Sequence, residues 1–169
     1  IELTYYGATV IHPKTIKPLQ NKNIPLYVKS FLQPEQTGTV IKQSDARLNI
    51  PSYIFKMNQV LISIQPKDFS FIAENNLSFI FEVFSKHHVK INLMQLSAIS
   101  FSVCCDKKKK KIDALVDDLQ HTFKVLYNSN LELMTVRYYT PETIASLTKN
   151  KIILLEQKSR FTVQMVMQH

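Results

Sequence analysis

The chain has 169 residues, only two of them glycine, and its 21 Lys and Arg against 13 Asp and Glu give a formal charge of +8. Loops that grip phosphate need several close glycines, because bare backbone must reach the ligand and φ is often positive, so a Walker loop, a dinucleotide fingerprint and a kinase glycine loop are all excluded from these residues. An apolar fraction of 45% is ample for a core and excludes a disordered or fibrous chain.

In chain order, residues 1–50 are rich in proline and hold both glycines, Gly7 and Gly38. His12-Pro13 reads as a turn, Ile24 to Ser30 as an alternating strand, Gln33 to Gly38 as a loop and Thr39 to Ile41 as a short strand. Two strands and a helix cannot bury a core alone, so this stretch is expected to end a larger α/β domain. A polar joint, Lys42 to Asn49, follows it.

Beyond an orphan strand at Ser52 to Lys56 the pattern becomes regular. Val60 to Ile64 reads as a strand, and Leu77, Ile80, Phe81 and Phe84 mark one face of a helix over 76–88. Lys90 to Leu96 and Ile99 to Cys104 alternate as strands. Asp106 is placed to cap a second helix over 107–120, whose Ile112, Leu115, Val116 and Leu119 share a face. Val125-Leu126 and Leu131 to Tyr138 supply the next strands. This order is that of a split βαβ sandwich, an α+β unit with an antiparallel sheet under two helices.

The pattern then restarts. Thr140-Pro141 is an N-cap with proline at the first helical position of a helix reaching Lys149, and Ile152 to Leu155 and Thr162 to Met167 are two further strands. A three-stranded half-unit leaves an edge exposed, and strand 52–57 is the candidate to complete it.

Several residues invite chemical readings. Cys104 and Cys105 are adjacent, so on a strand they face opposite sides; lacking redox or zinc spacing, they read as reduced thiols, one of them buried. His87 and His88 close a helix, where a cation is favoured, and no metal site is expected. Lys107 to Lys111 read as the solvated start of the second helix, offset by Asp113, Asp117 and Asp118, since lysines without interleaved aromatics or arginines are a weak nucleic-acid signal. Ser100 to Val103 lacks the aromatic run of an RNA-recognition sheet, so no nucleic-acid partner is expected. Without a long apolar run or a signal pattern, the chain reads as cytoplasmic with no membrane partner. Asn92, a polar amide between apolar neighbours, reads either as a ligand group or as a solvent-facing one.

Tyr6-Gly7-Ala8-Thr9-Val10-Ile11-His12-Pro13-Lys14-Thr15-Ile16-Lys17-Pro18, then Ile24-Pro25-Leu26-Tyr27-Val28 and Gly38-Thr39-Val40-Ile41, resembles the last part of the catalytic domain of aspartate kinases. In that family the phrase leads into two ACT regulatory domains, each a βαββαβ unit, and Asn92 to Val103 is similar to the second and third strands of the first. The resemblance implies a catalytic-domain tail over 1–48, a first ACT domain over 58–130 and a second, shortened one over 131–169. It implies no catalytic residue and no cofactor in this chain, the ATP and Mg of the full-length enzyme being bound upstream. Thr9 and Val10 match nucleotide-contacting positions, although the family usually has lysine where Thr9 stands.

By the same resemblance, paired ACT domains of a homodimer would bind an amino-acid effector, L-lysine or else threonine. Asn92 would receive its ammonium, where the family commonly has aspartate, and Ser97 would close the pocket. Asn75, Asn76 and Leu77 match the stretch that offers backbone N–H groups to the carboxylate at a helix start. The alternative is a free-standing amino-acid-binding ACT module without kinase function.

Overall fold

The computed structural model describes residues 6–7, 11, 13–43, 49–68 and 70–168. The chain divides into two compact units, residues 1–50 and 51–169. In the first, helix α1 (Pro13–Asn21) precedes a two-stranded antiparallel ribbon of β1 (Leu26–Val28) and β2 (Thr39–Ile41). Gly38 turns the chain into β2 at φ +67°, where a Cβ would stand 2.4 Å from the Val28 carbonyl oxygen, so only glycine fits. A cleft of about 670 Å³ lies between α1 and the ribbon, lined by Ile16, Leu19, Ile24, Leu26 and Ile41 among others.

Among the described residues the second unit is one six-stranded antiparallel sheet with three helices. Its elements are β3 (Ser52–Pro66), α2 (Glu74–Lys86), β4 (Ile91–Leu96), β5 (Phe101–Asp106), α3 (Lys109–Gln120), β6 (Phe123–Arg137), α4 (Pro141–Thr148), β7 (Ile152–Lys158) and β8 (Thr162–Gln168), in the sheet order β4-β5-β3-β6-β8-β7. The segments read from sequence as separate strands around residues 57–59 and 127–130 are single strands of 15 residues, β3 and β6.

What looks like a break in each pattern is a bulge. Lys56 pairs with Leu133 and Leu61 with Asn128, while Gln59 pairs with Leu131 one step out of register. Each strand therefore carries one extra residue. Asn58 and Asn130 take up the positive φ this needs, 55° and 61°, a conformation asparagine tolerates better than most residues. An extra residue in a structure of period two moves every later side chain to the other face.

Three apolar clusters result. Val60, Ile62, Ile64, Phe101, Val103, Cys105, Phe123 and Val125 pack under α2 and α3, contributing Ile80, Val83, Phe84, Ile112, Leu115, Val116 and Leu119. Met134, Val136, Val163, Met165 and Met167 pack under Ile144 and Leu147 of α4. Between them Leu61, Leu93, Cys104, Leu131, Leu133, Leu155 and Val166 form a cluster drawn from all six strands and no helix, which requires the sheet to curl on itself. Both cysteines are buried, against the expectation of one, with Cys104 in the strand-only cluster and Cys105 under the helices. Burial pushes both thiols up to about 12, leaving them unreactive.

The helix ends follow local chemistry. The Thr140 hydroxyl accepts from the Thr143 N–H at 3.3 Å and Pro141 follows it. For α3 the expected cap is corrected: the helix begins at Lys109 with Lys108 in the N-cap position, and Asp106 ends β5, its carboxylate held across the sheet. Lys107 to Lys110 are exposed. Helices α2 and α3 are clipped together where Asp118 meets Lys86 at 2.7 Å and His87 at 2.8 Å.

Leu115 is fully buried, so Leu115→Ala should cost about 2–5 kcal/mol in urea denaturation. The Lys86 and His87 hydrogen bonds hold the Asp118 carboxyl down at about 2. A carboxyl lowered in the folded state stabilises fully above its unfolded pKa and loses that contribution as pH falls through the folded one. Asp118→Asn should therefore melt below wild type at pH 7, with the two melting curves converging as pH approaches 2.

Candidate functional site

The structure sorts the residues singled out from sequence into two groups at opposite ends of β4. Thr9, Val10 and His12 lie outside the described residues. Ser97 is in the β4–β5 turn, where its hydroxyl accepts from the Ser100 N–H at 3.0 Å and donates to the Ser100 carbonyl at 3.1 Å. The same turn is tied to the loop before α2, for the Ile72 N–H donates to the Ala98 carbonyl at 2.9 Å. Asn75 stands exposed on the first turn of α2. The Asn76 side chain accepts from the Ala73 N–H at 3.0 Å, and Leu77 packs on the core beneath the helices. Asn75, Asn76, Leu77 and Ser97 thus share one end of the sheet.

Asn92 is at the other end. Five residues of extended chain, about 16 Å, separate it from Ser97. It is the extra residue of a further bulge: Ile91 pairs with Cys105 and Leu93 with Cys104, so Asn92 has no partner in the register. Both ends of its amide have partners. Oδ1 accepts from Lys56 Nζ at 3.0 Å, and Nδ2 donates to Gln59 Oε1 at 2.9 Å and to Asp106 Oδ1 at 2.8 Å. Gln59, only 1% exposed, donates in turn to Asp106 at 3.0 Å and to the Met57 carbonyl at 3.1 Å. The donor-only ammonium and the acceptor-only carboxylate fix which way the Asn92 amide points.

The charges in this cluster balance. Partial burial opposes ionisation of Asp106, but the hydrogen bonds from Gln59 and Asn92 and the charges of Lys56 and Lys108 outweigh it and hold the carboxyl below its usual range. Partial burial also lowers Lys56, against the pull of Asp106 and with the push of Lys90. Asn92 was legible as an anomaly in sequence. Lys56, Gln59 and Asp106 were not, because only the bulges bring them onto one face. Among the described residues no three His, Cys, Asp or Glu gather as a metal site needs, and no helix is long and apolar enough to cross a membrane.

No family model matches the sequence, but individual proteins do. Aspartokinase 3, chloroplastic, of Arabidopsis thaliana is 28% identical over 133 residues, 70% of this chain and 23% of that protein. Its homologues are aspartokinases. The chain spans about a quarter of that relative's length. Among solved structures, aspartate kinase from Clostridium acetobutylicum, described as an allosteric enzyme, superposes with a TM-score of 0.78 at 20% identity, covering 98% of this chain and 42% of that one. Aspartokinase III of E. coli, solved with lysine and aspartate in its T-state, gives 0.74 at 18% identity, covering 95% and 39%. The α+β fold of this aspartokinase-like chain is therefore that of tandem ferredoxin-like ACT domains.

Removing the Asp106 carboxylate would leave Gln59 Nε2 and Asn92 Nδ2 short of an acceptor and Lys56 without its counter-charge. Asp106→Ala should cost about 1–3 kcal/mol in urea denaturation.

Proposed function

We propose that the chain is the regulatory, C-terminal portion of an aspartate kinase, an enzyme that transfers phosphate from ATP to L-aspartate. In this reading residues 1–48 are the tail of the catalytic domain, 58–130 the first ACT domain, and 131–169 the second, completed by strand 52–57. The observation that carries the reading is the sheet itself: an aspartokinase-like chain whose two long strands are shared between two βαββ halves. The ATP and Mg sites belong to the full-length enzyme in this reading, and Thr9 and Val10 would contribute to its nucleotide contact.

The effector in this reading is an amino acid, L-lysine first, bound where two copies pair. Pairing is what the geometry asks for. The N–H groups of Asn75 and Asn76 on the first turn of α2, beside Ser97 and Leu77, would meet a carboxylate at one end of β4, whereas the Asn92 oxygen and the Asp106 carboxylate would meet an ammonium at the other. A single small ligand would take them from two different chains. β4 is an edge strand with Met94, Leu96 and Ile99 exposed beside it, a surface suited to a second copy. A ligand bound there would favour one dimer arrangement, by its differential affinity for the two states.

Titration calorimetry of the chain with lysine, threonine and methionine tests this. Heat with an amino acid that saturates at one site per chain, together with a dimer in sedimentation, is the expected result. Silence for all three would overturn the effector assignment.

A further inference from the structure

The two halves of the sheet are related by an internal pseudo-two-fold, which shows what the fold requires at each position. Asn58 answers to Asn130 at the bulges, Leu61 to Leu133, Leu93 to Leu155 and Cys104 to Val166, each pair in the same register. His88 and Asn150, after α2 and α4, both have positive φ. On the same correspondence Gln59 answers to Leu131, Asn92 to Leu154, Lys56 to Asn128 and Asp106 to Gln168. At the first two positions the second half is apolar, and Leu131 is as deeply buried as Gln59. The architecture thus closes without a polar cluster at this place, and the first half has one.

What that cluster offers is a set of acceptors, the Asn92 and Gln59 carbonyl oxygens and the Asp106 carboxylate, which together attract a cation. The chain supplies that cation itself. We propose that Lys56 is a built-in competitor for the effector's ammonium: its own ammonium occupies the Asn92 oxygen, so an external ammonium binds only by displacing it, and Lys56 thereby sets the threshold at which a cationic ligand is sensed. This rests on the reading of Asn92 as part of an effector site.

The physical grounds are the hydrogen-bond count and the charge. Lys56 reaches Asn92 Oδ1 at 3.0 Å, and both Asn92 N–H groups are already given to Gln59 and Asp106. A second ammonium at that oxygen would stand within about 4 Å of the first, where like charges repel strongly in a half-buried setting. Asp106 neutralises one cation and has no second carboxylate beside it in the cluster to neutralise another.

The test compares the wild-type chain with Lys56→Met, Lys56→Gln and Lys56→Arg, titrating L-lysine by calorimetry and recording each melting temperature. Methionine and glutamine at 56 should bind lysine tighter than wild type by roughly tenfold or more, and arginine, which keeps the charge, should bind as wild type does. A melting temperature that falls in all three variants while affinity follows only the charge separates competition from a purely structural role. Equal lysine affinity in wild type and in both uncharged variants would overturn the competitor alone. No binding by any of the four proteins would overturn the effector reading and the competitor with it.

Discussion

The constraint on which this structure rests is the two-residue period of a β-strand. β3 and β6 run the length of two half-sheets, and each half must turn one face to helices and the other to the strand-only cluster. In an unbroken strand one alternate set of side chains would face the helices throughout, whereas on β6 the helix-facing residues change parity, from Phe123 and Val125 to Met134 and Val136. One extra residue in each strand removes the conflict. Val60 and Val125 face α2 and α3, Met134 and Val136 face α4, and Leu61 and Leu133 both join the strand-only cluster. Because β3 and β6 each gain one residue, the pairing returns to its original register on the far side of the bulges. Asn58 and Asn130 are the residues at which the backbone conformation makes that possible.

The same device recurs at the sheet edges. β4 and β7 each slip by one against β5 and β8, at Asn92 and Leu154. Bulges at edges re-aim side chains and discourage strand addition at the point where they occur. At Leu154 the re-aimed side chain is apolar. At Asn92 it is an amide, directed at the bulge of β3, where Lys56 and Gln59 flank the extra residue. Two local irregularities are thus knotted to one another by side-chain hydrogen bonds, and the polar cluster exists only because both are present.

This explains how much could be read in advance. The helices were legible because Ile112, Leu115, Val116 and Leu119, or Leu77, Ile80 and Phe84, repeat at a period that tertiary packing reinforces. The Thr140-Pro141 start was legible because capping is local. The long strands were misread as pairs of short ones, since alternation that changes phase looks like alternation that stops. Asp106 was misread for a related reason. Its sequence context is that of an N-cap, yet the carboxylate is drawn across the sheet by Gln59 and Asn92, partners 47 and 14 residues away. Asn92 stood out because one polar residue among apolar ones is visible in a single strand; its partners, on two other strands, had no such signal.

The position of Lys56 gives the cluster a reach beyond Asn92. Its backbone pairs with Leu133 in the second half, while its ammonium bonds a side chain on the outermost strand of the first. The bulge it flanks also holds the start of α3, for the Asn58 carbonyl accepts from the Lys107 N–H at 2.9 Å. A group that exchanged places with Lys56 at Asn92 would therefore alter contacts in three places at once: the edge strand, the approach to α3, and the strand shared with the second half. Coupling between sites requires an element with two arrangements that each site can bias. Under the proposed competition Lys56 would have two, seated on Asn92 as the structure shows it or displaced from it, and its place on the strand that both halves share would carry the choice to both.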